Sequence, residues 1–239
     1  GSTDCSTTFL IILMAIVKPF KAVRATRDKA ALVSAKSREI YAPDMLDAKL
    51  AFNPYTFLHV INPGYKYHKQ DISGDMRFKL VHNRYLEFKE EGIFTQDEKP
   101  SFYIYQKNTP THSFCGIISA TSVSDYENNI IKKHEGTLQQ RELLFENYLK
   151  NTGFNSEPVL LTYPDNDVIT SIIKKYQNTR AEFEFSTTDK DSHLLWIVND
   201  RTDTQRITDT FKEVNTLYIA DGHHRSTSSC LLAKRLAKE

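Results

Sequence analysis

Five consecutive residues, Asp221-Gly222-His223-His224-Arg225, gather a carboxylate, two imidazoles and a guanidinium directly after the apolar run Leu217-Tyr218-Ile219-Ala220. Asp-Gly favours a tight turn. The Ser226-Thr227-Ser228-Ser229 run that follows opens a helical pattern with small side chains and hydroxyl donors. Free N–H groups and the dipole at a helix start favour anions, and arginine grips a phosphate in a bidentate fork. The segment therefore reads as a phosphate-binding turn made by Gly222, His223, His224, Arg225 and Ser226, with Asp221 as a catalytic carboxylate. A helix cap at Asp221 with surface histidines is the bland competitor; so many chemical groups packed behind an apolar strand weigh against it. A metal site is a second competitor, because Asp and His are ligands. It ranks lower, since adjacent histidines rarely point the same way.

A second cluster runs from Glu127 to Thr137 and contains Lys132-Lys133-His134-Glu135, with Arg141 beyond it. Lysines neutralise phosphate charge, and a carboxylate or imidazole can take a proton from a hydroxyl. Lys132 and Lys133 are thus phosphate-binding candidates, Glu135 and His134 catalytic ones, and Thr137 and Arg141 substrate contacts. Alone, such a string is usually a solvated charged loop. Beside the first cluster it becomes the other half of one site. His59 and Trp196 read as core residues, and His68, His82, His112 and His193 have no evident partners.

These clusters need elements to hold them. Helical spacing predicts helices over Pro43–Phe52, Ser73–Glu91, Gln139–Asn151, Val168–Tyr176, Thr202–Lys212 and Ser226–Lys238. Gly92 and Gly153 stand as C-terminal stops, and Leu144, Phe145, Tyr148 and Leu149 face inward. Strands are expected at Ile16–Phe20, Phe57–Ile61, Phe102–Tyr105, Phe114–Val123, Val159–Tyr163, Phe183–Phe185, Leu194–Val198 and Thr216–Ala220. Strands and helices mix without strict alternation, which predicts an α+β fold, a mixed sheet with flanking helices.

With 239 residues, 40% of them hydrophobic and 26% charged, the chain can bury a sizeable core. A net charge of +1, with no basic stripe, argues against a nucleic-acid or membrane-surface partner. Cys5, Cys115 and Cys230 form no CxxC pair, so no structural zinc site is expected. Sparse, odd cysteines suit a reducing, cytoplasmic compartment, and Cys115 reads as an inert core residue. The apolar run Phe9–Val17 lacks a basic flank and is too short to span a bilayer. Residues 1–13 read as a non-native leader before Met14, and 14–239 as one domain, divisible into an N-terminal subdomain 14–124 and a phosphate-binding subdomain 125–239. The chain reads as stopping inside its last helix, as a fragment truncated at its C-terminus.

Taken in order, several segments resemble a widespread bacterial family of unknown function marked by a DGHHR signature. They are Lys18-Pro19-Phe20-Lys21-Ala22, Asn53-Pro54-Tyr55-Thr56-Phe57-Leu58-His59-Val60, Ser124-Asp125-Tyr126-Glu127-Asn128, Ile131-Lys132-Lys133-His134-Glu135 and Tyr218-Ile219-Ala220-Asp221-Gly222-His223-His224-Arg225. Gly136 and Leu138-Gln139-Gln140-Arg141 depart from that family's usual pattern. The DGHHR turn is also similar to the phosphate-binding turn of the ParB/sulfiredoxin-like superfamily, which includes free serine kinases. That resemblance implies a ParB/sulfiredoxin-like core, with Asp221, His223, His224 and Arg225 on the phosphates and Glu135 as base for a substrate hydroxyl. It implies Mg²⁺ and a nucleotide, ATP or ADP, as cofactors. The leading expectation is a phosphotransferase on a small hydroxylated metabolite, with serine kinase or phosphoserine phosphatase-like chemistry. The alternatives are a nucleotide-binding regulatory module without turnover, and a metal-dependent hydrolase using His134, Glu135, His223 and His224. The partner is a small phosphorylated molecule or nucleotide, and an oligomer is compatible with all three.

Overall fold

Prolines and glycines cut the chain into short elements, and long-range strand pairing ties them together. The computed structural model describes residues 15–67, 72–155 and 157–238. The expected leader, the start at Met14, Cys5 and His68 lie outside these residues. The strands are β1 (Val17–Lys18), β2 (Val23–Ala25), β3 (Phe94–Gln96), β4 (Phe102–Asn108), β5 (Ser113–Ile118), β6 (Ala120–Thr121), β7 (Ile131–Lys132), β8 (Leu160–Thr162), β9 (Phe183–Ser186), β10 (Ser192–Val198) and β11 (Leu217–Asp221). The helices are α1 (Ala30–Val33), α2 (Pro43–Phe52), α3 (Leu58–Ile61), α4 (Gly64–Tyr67), α5 (Gly74–Glu90), α6 (Val123–Glu127), α7 (Gln139–Thr152), α8 (Asp167–Gln177), α9 (Arg201–Lys212) and α10 (His223–Leu236).

A four-stranded antiparallel sheet runs β5-β4-β10-β9, and β4 pairs with β10 along its whole length, Phe102 opposite Val198 through Asn108 opposite Ser192. Its strands come from both sides of residue 124. A three-stranded sheet runs β7-β11-β8, with β7 parallel and β8 antiparallel to β11. Phe102, Ile104, Trp196 and Val198 of the larger sheet, Ile131, Leu217 and Ile219 of the smaller, and Ile169, Ile172, Ile207 and Phe211 of α8 and α9 form one buried core. Both covering helices start on a side-chain cap: Asn166 Oδ1 accepts from the amides of Val168 and Ile169, and Asp200 Oδ1 from that of Asp203. A second core of Val60, Val81, Phe88, Ile93 and Phe94 sits under α5. The fold is α+β, as the mixed order of its elements predicts.

Several expected elements shift. Phe57–Ile61 is not a strand: Leu58–Ile61 is the helical turn α3. A short apolar run between Pro54 and Pro63 buries equally well in either form, and here its amides close local bonds, His59 to Thr56 and Val60 to Phe57. Phe114–Val123 breaks into β5 and β6 before α6 begins. Because β5 is a sheet edge, Cys115 is exposed rather than core. Leu149 of α7 is buried as expected, but Leu144 is 55% exposed and Glu146 turns inward; Glu146 is admitted by Arg235, whose Nε lies 3.1 Å from Oε1. The last helix starts three residues before Ser226, at His223, so the motif histidines are helical. Gly92 and Gly153 do follow their helices at positive φ. His59 is a buried histidine with Nε2 3.1 Å from the Asn53 carbonyl, and Trp196 is core. Among the described residues no helix is long and apolar enough to cross a membrane.

Candidate functional site

The two chemical clusters meet because β7 and β11 are neighbours running in the same direction. Leu217 lies opposite Ile131 and Tyr218 opposite Lys132. Parallel strands deliver the segments after them to the same end of the sheet, where ligands collect in open sheets of this kind. Lys133 to Thr137 therefore emerges beside Gly222 to Thr227.

Gly222 makes the turn from β11 into α10 at φ +98°, a conformation that costs residues with a Cβ. A Cβ there would also lie 3.0 Å from Arg225 Nη2. The glycine thus lets Arg225 fold back over the turn. Its Nη1 donates to Glu157 Oε2 at 3.0 Å, and its Nη2 to Asp221 Oδ2 at 3.1 Å and to the Pro158 carbonyl at 3.2 Å. Arg225 and Asp221 are engaged with each other and with the loop before β8, and neither lines the cleft described next.

His223, the first residue of α10, is buried, at 6% exposure. Its Nδ1 lies 3.8 Å from Glu135 Oε2, and the His134 ring meets it edge-on at 4.5 Å. Its Nε2 is buried without a hydrogen-bond partner. One donor atom from each of His134, Glu135 and His223 falls within 4.8 Å of the others. His134 and Glu135 are exposed on the loop after β7. His224 turns the other way: its Nε2 accepts from the Leu138 amide at 3.3 Å, and its ring lies near Phe145 of α7.

Around this group lies a cleft of about 300 Å³, lined by Tyr126, Lys133, Glu135, Gly136, Thr137, His223, Thr227, Cys230, Leu231 and Lys234. Lys133 Nζ sits 3.8 Å above the centre of the Tyr126 ring, a cation–π contact that holds the ammonium at the cleft wall. The Tyr126 hydroxyl bonds Thr227 Oγ1, and Thr137 Oγ1 donates to Glu142. Lys234 pairs with Glu127 at 2.8 Å, and its hydrogen bond holds that carboxyl below its ordinary range. Lys132 is half-buried in β7, and Ser226 half-buried on α10; Arg141 is exposed on α7.

Of the expected residues, Lys133, Glu135, Thr137 and His223 share the cleft, with His134 against His223. Gly222 shapes it from behind. Tyr126, Thr227 and Lys234 are wall residues that sequence reasoning missed. Helical periodicity carries the signal for two of them: His223, Thr227, Leu231 and Lys234 repeat along one face of α10. The Ser124-Asp125-Tyr126-Glu127 segment also gains a physical account. Asp125 is buried and accepts from the Ile16 amide at 2.7 Å, anchoring β1, while Tyr126 and Glu127 fix α6 to α10.

Neither the curated proteins nor the solved structures yield a match to the chain. A family model described as "Protein of unknown function (DUF1015)" matches residues 17–239, from β1 through α10 and across both clusters, and the chain belongs to that family.

Proposed function

We propose that the cleft between the β7 loop and α10 is a phosphoryl-transfer site for a small hydroxylated metabolite. The observation that carries this is the approach of Glu135 to His223, 3.8 Å apart, beneath a lysine that no carboxylate claims among the described residues. Phosphoryl transfer asks mainly for positioning and charge neutralisation. Lys133 faces the cleft with an ammonium for phosphate oxygens, and Tyr126, Thr137 and Thr227 bring hydroxyls. The carboxylate–imidazole group of Glu135, His134 and His223 is where the substrate hydroxyl loses its proton as its oxygen bonds phosphorus and the donor's P–O bond breaks.

The similarity of the turn to ParB/sulfiredoxin-like proteins supports serine or O-phosphoserine as the substrate and a serine-kinase-like direction. Lys133 fits the phosphate end of a nucleotide carrying Mg²⁺, an ion that keeps phosphate oxygens and waters as ligands. Bound there, the nucleotide would supply the phosphoryl group. Arg225 is not assigned to the phosphates, because Asp221 and Glu157 already compensate its charge.

The test is transfer of labelled phosphate from ATP or ADP to L-serine, and of phosphate from O-phosphoserine in reverse. Glu135→Gln is expected to lower kcat by roughly 10²-fold or more, the usual worth of a proton-transfer group, and Lys133→Ala to raise KM. Wild-type turnover in Glu135→Gln would overturn the assignment.

A further inference from the structure

His223 has an unusual environment for a buried imidazole. Nε2 has no partner, and Nδ1 faces Glu135 at 3.8 Å, beyond hydrogen-bond reach. Nδ1, the ring atom turned toward Glu135, is therefore the one open to a ligand that both side chains share. The ring is also in edge contact with a second imidazole, His134, beside a carboxylate. We propose that His134, Glu135 and His223 bind a first-row transition-metal ion, Zn²⁺ or Mn²⁺ in kind, at the floor of the cleft.

Ion–ligand distances of about 2.0–2.2 Å place neighbouring ligand atoms roughly 3.0–3.5 Å apart. The three donors spread over at most 4.8 Å, so closure takes a movement of little more than a bond length. The parts that must move, His134 and Glu135, are exposed loop residues, while His223 is held in α10. Two imidazoles with one carboxylate suit zinc, manganese or iron and not Mg²⁺, which prefers oxygen alone. Three protein ligands leave positions open toward the cleft, as in catalytic rather than structural metal sites. His224 is not in the set, since it accepts from the Leu138 amide. Nor is Cys230, whose thiol is turned to Glu127 at 3.6 Å. This deepens the phosphoryl-transfer reading, on which it rests only for the ion's role, that of making a bound substrate hydroxyl easier to deprotonate.

The test is calorimetric titration of the chelator-stripped full chain with ZnCl₂, MnCl₂ and MgCl₂, without substrate. One equivalent of Zn²⁺ or Mn²⁺ is expected to bind more tightly than Mg²⁺. His134→Ala and Glu135→Gln, both at exposed positions, should each weaken it roughly ten-fold or more with an unchanged circular dichroism spectrum. No saturable binding of either transition ion would overturn the proposal, as would unchanged affinity in both variants, which would put the ion elsewhere. Metal binding without phosphate transfer would sink the phosphoryl-transfer reading and leave the metal site standing; transfer without transition-metal binding would do the reverse.

Discussion

At Gly222 one missing methyl group decides both a backbone turn and the path of a side chain. The positive φ strains any residue with a Cβ, and a Cβ there would press on Arg225 at 3.0 Å. Gly222→Ala is expected to destabilise the protein by about 1–3 kcal/mol, the cost of strained backbone plus a displaced arginine, read as a lower urea midpoint at unchanged slope. The turn itself is legible in the sequence, because Asp-Gly after an apolar run has few other uses. The aim of Arg225 is not. A phosphate and a carboxylate look alike to a guanidinium, and Glu157 comes from a distant loop that no local pattern connects to the motif.

At the scale of elements, helices are the better-read half. The period of α5, α8 and α9 places them to within a few residues. In α7 the period predicts burial at Leu144, where the structure exposes it and buries Glu146, because a buried glutamate becomes tolerable only with Arg235 of α10 facing it. Short apolar runs such as Leu58–Ile61 carry no period long enough to separate strand from helix. α5 also carries a titration signature. Burial by itself would raise the Glu87 carboxyl, but hydrogen bonds from Lys66, Tyr67 and Arg84 outweigh it and hold it down at about 2, against an ordinary 4.5. A carboxyl depressed in the folded state stabilises above its unfolded value and loses that contribution as pH falls through the folded one. Glu87→Gln should therefore cost about 1–2 kcal/mol at neutral pH, and the gap to the parent protein should close between pH 4.5 and about 2 in denaturant midpoints taken across that range.

Over the whole molecule, the larger core joins the four-stranded and three-stranded sheets to α8 and α9, so its stability is shared by all of them. Ile207 is fully buried there among Ile169, Phe211 and the sheet residues. Ile207→Ala is expected to lower unfolding free energy by about 2–5 kcal/mol, measured by chemical denaturation. The sequence could name the α+β class and both chemical clusters, but not their meeting. That depends on β7 lying alongside β11, a parallel pairing between remote segments that leaves no local trace.

The same seam has a mechanical meaning. Only Ile131 with Leu217 and Lys132 with Tyr218 are in register along it, yet the chain between them includes α7, β8, α8, β9, β10 and α9. A ligand gripped by Glu135 on one side and His223 on the other ties the two ends of that long stretch together in the folded state alone, and stabilises it by mass action. Its stabilising effect would then spread through the entire cooperative unit rather than staying with the residues that touch it.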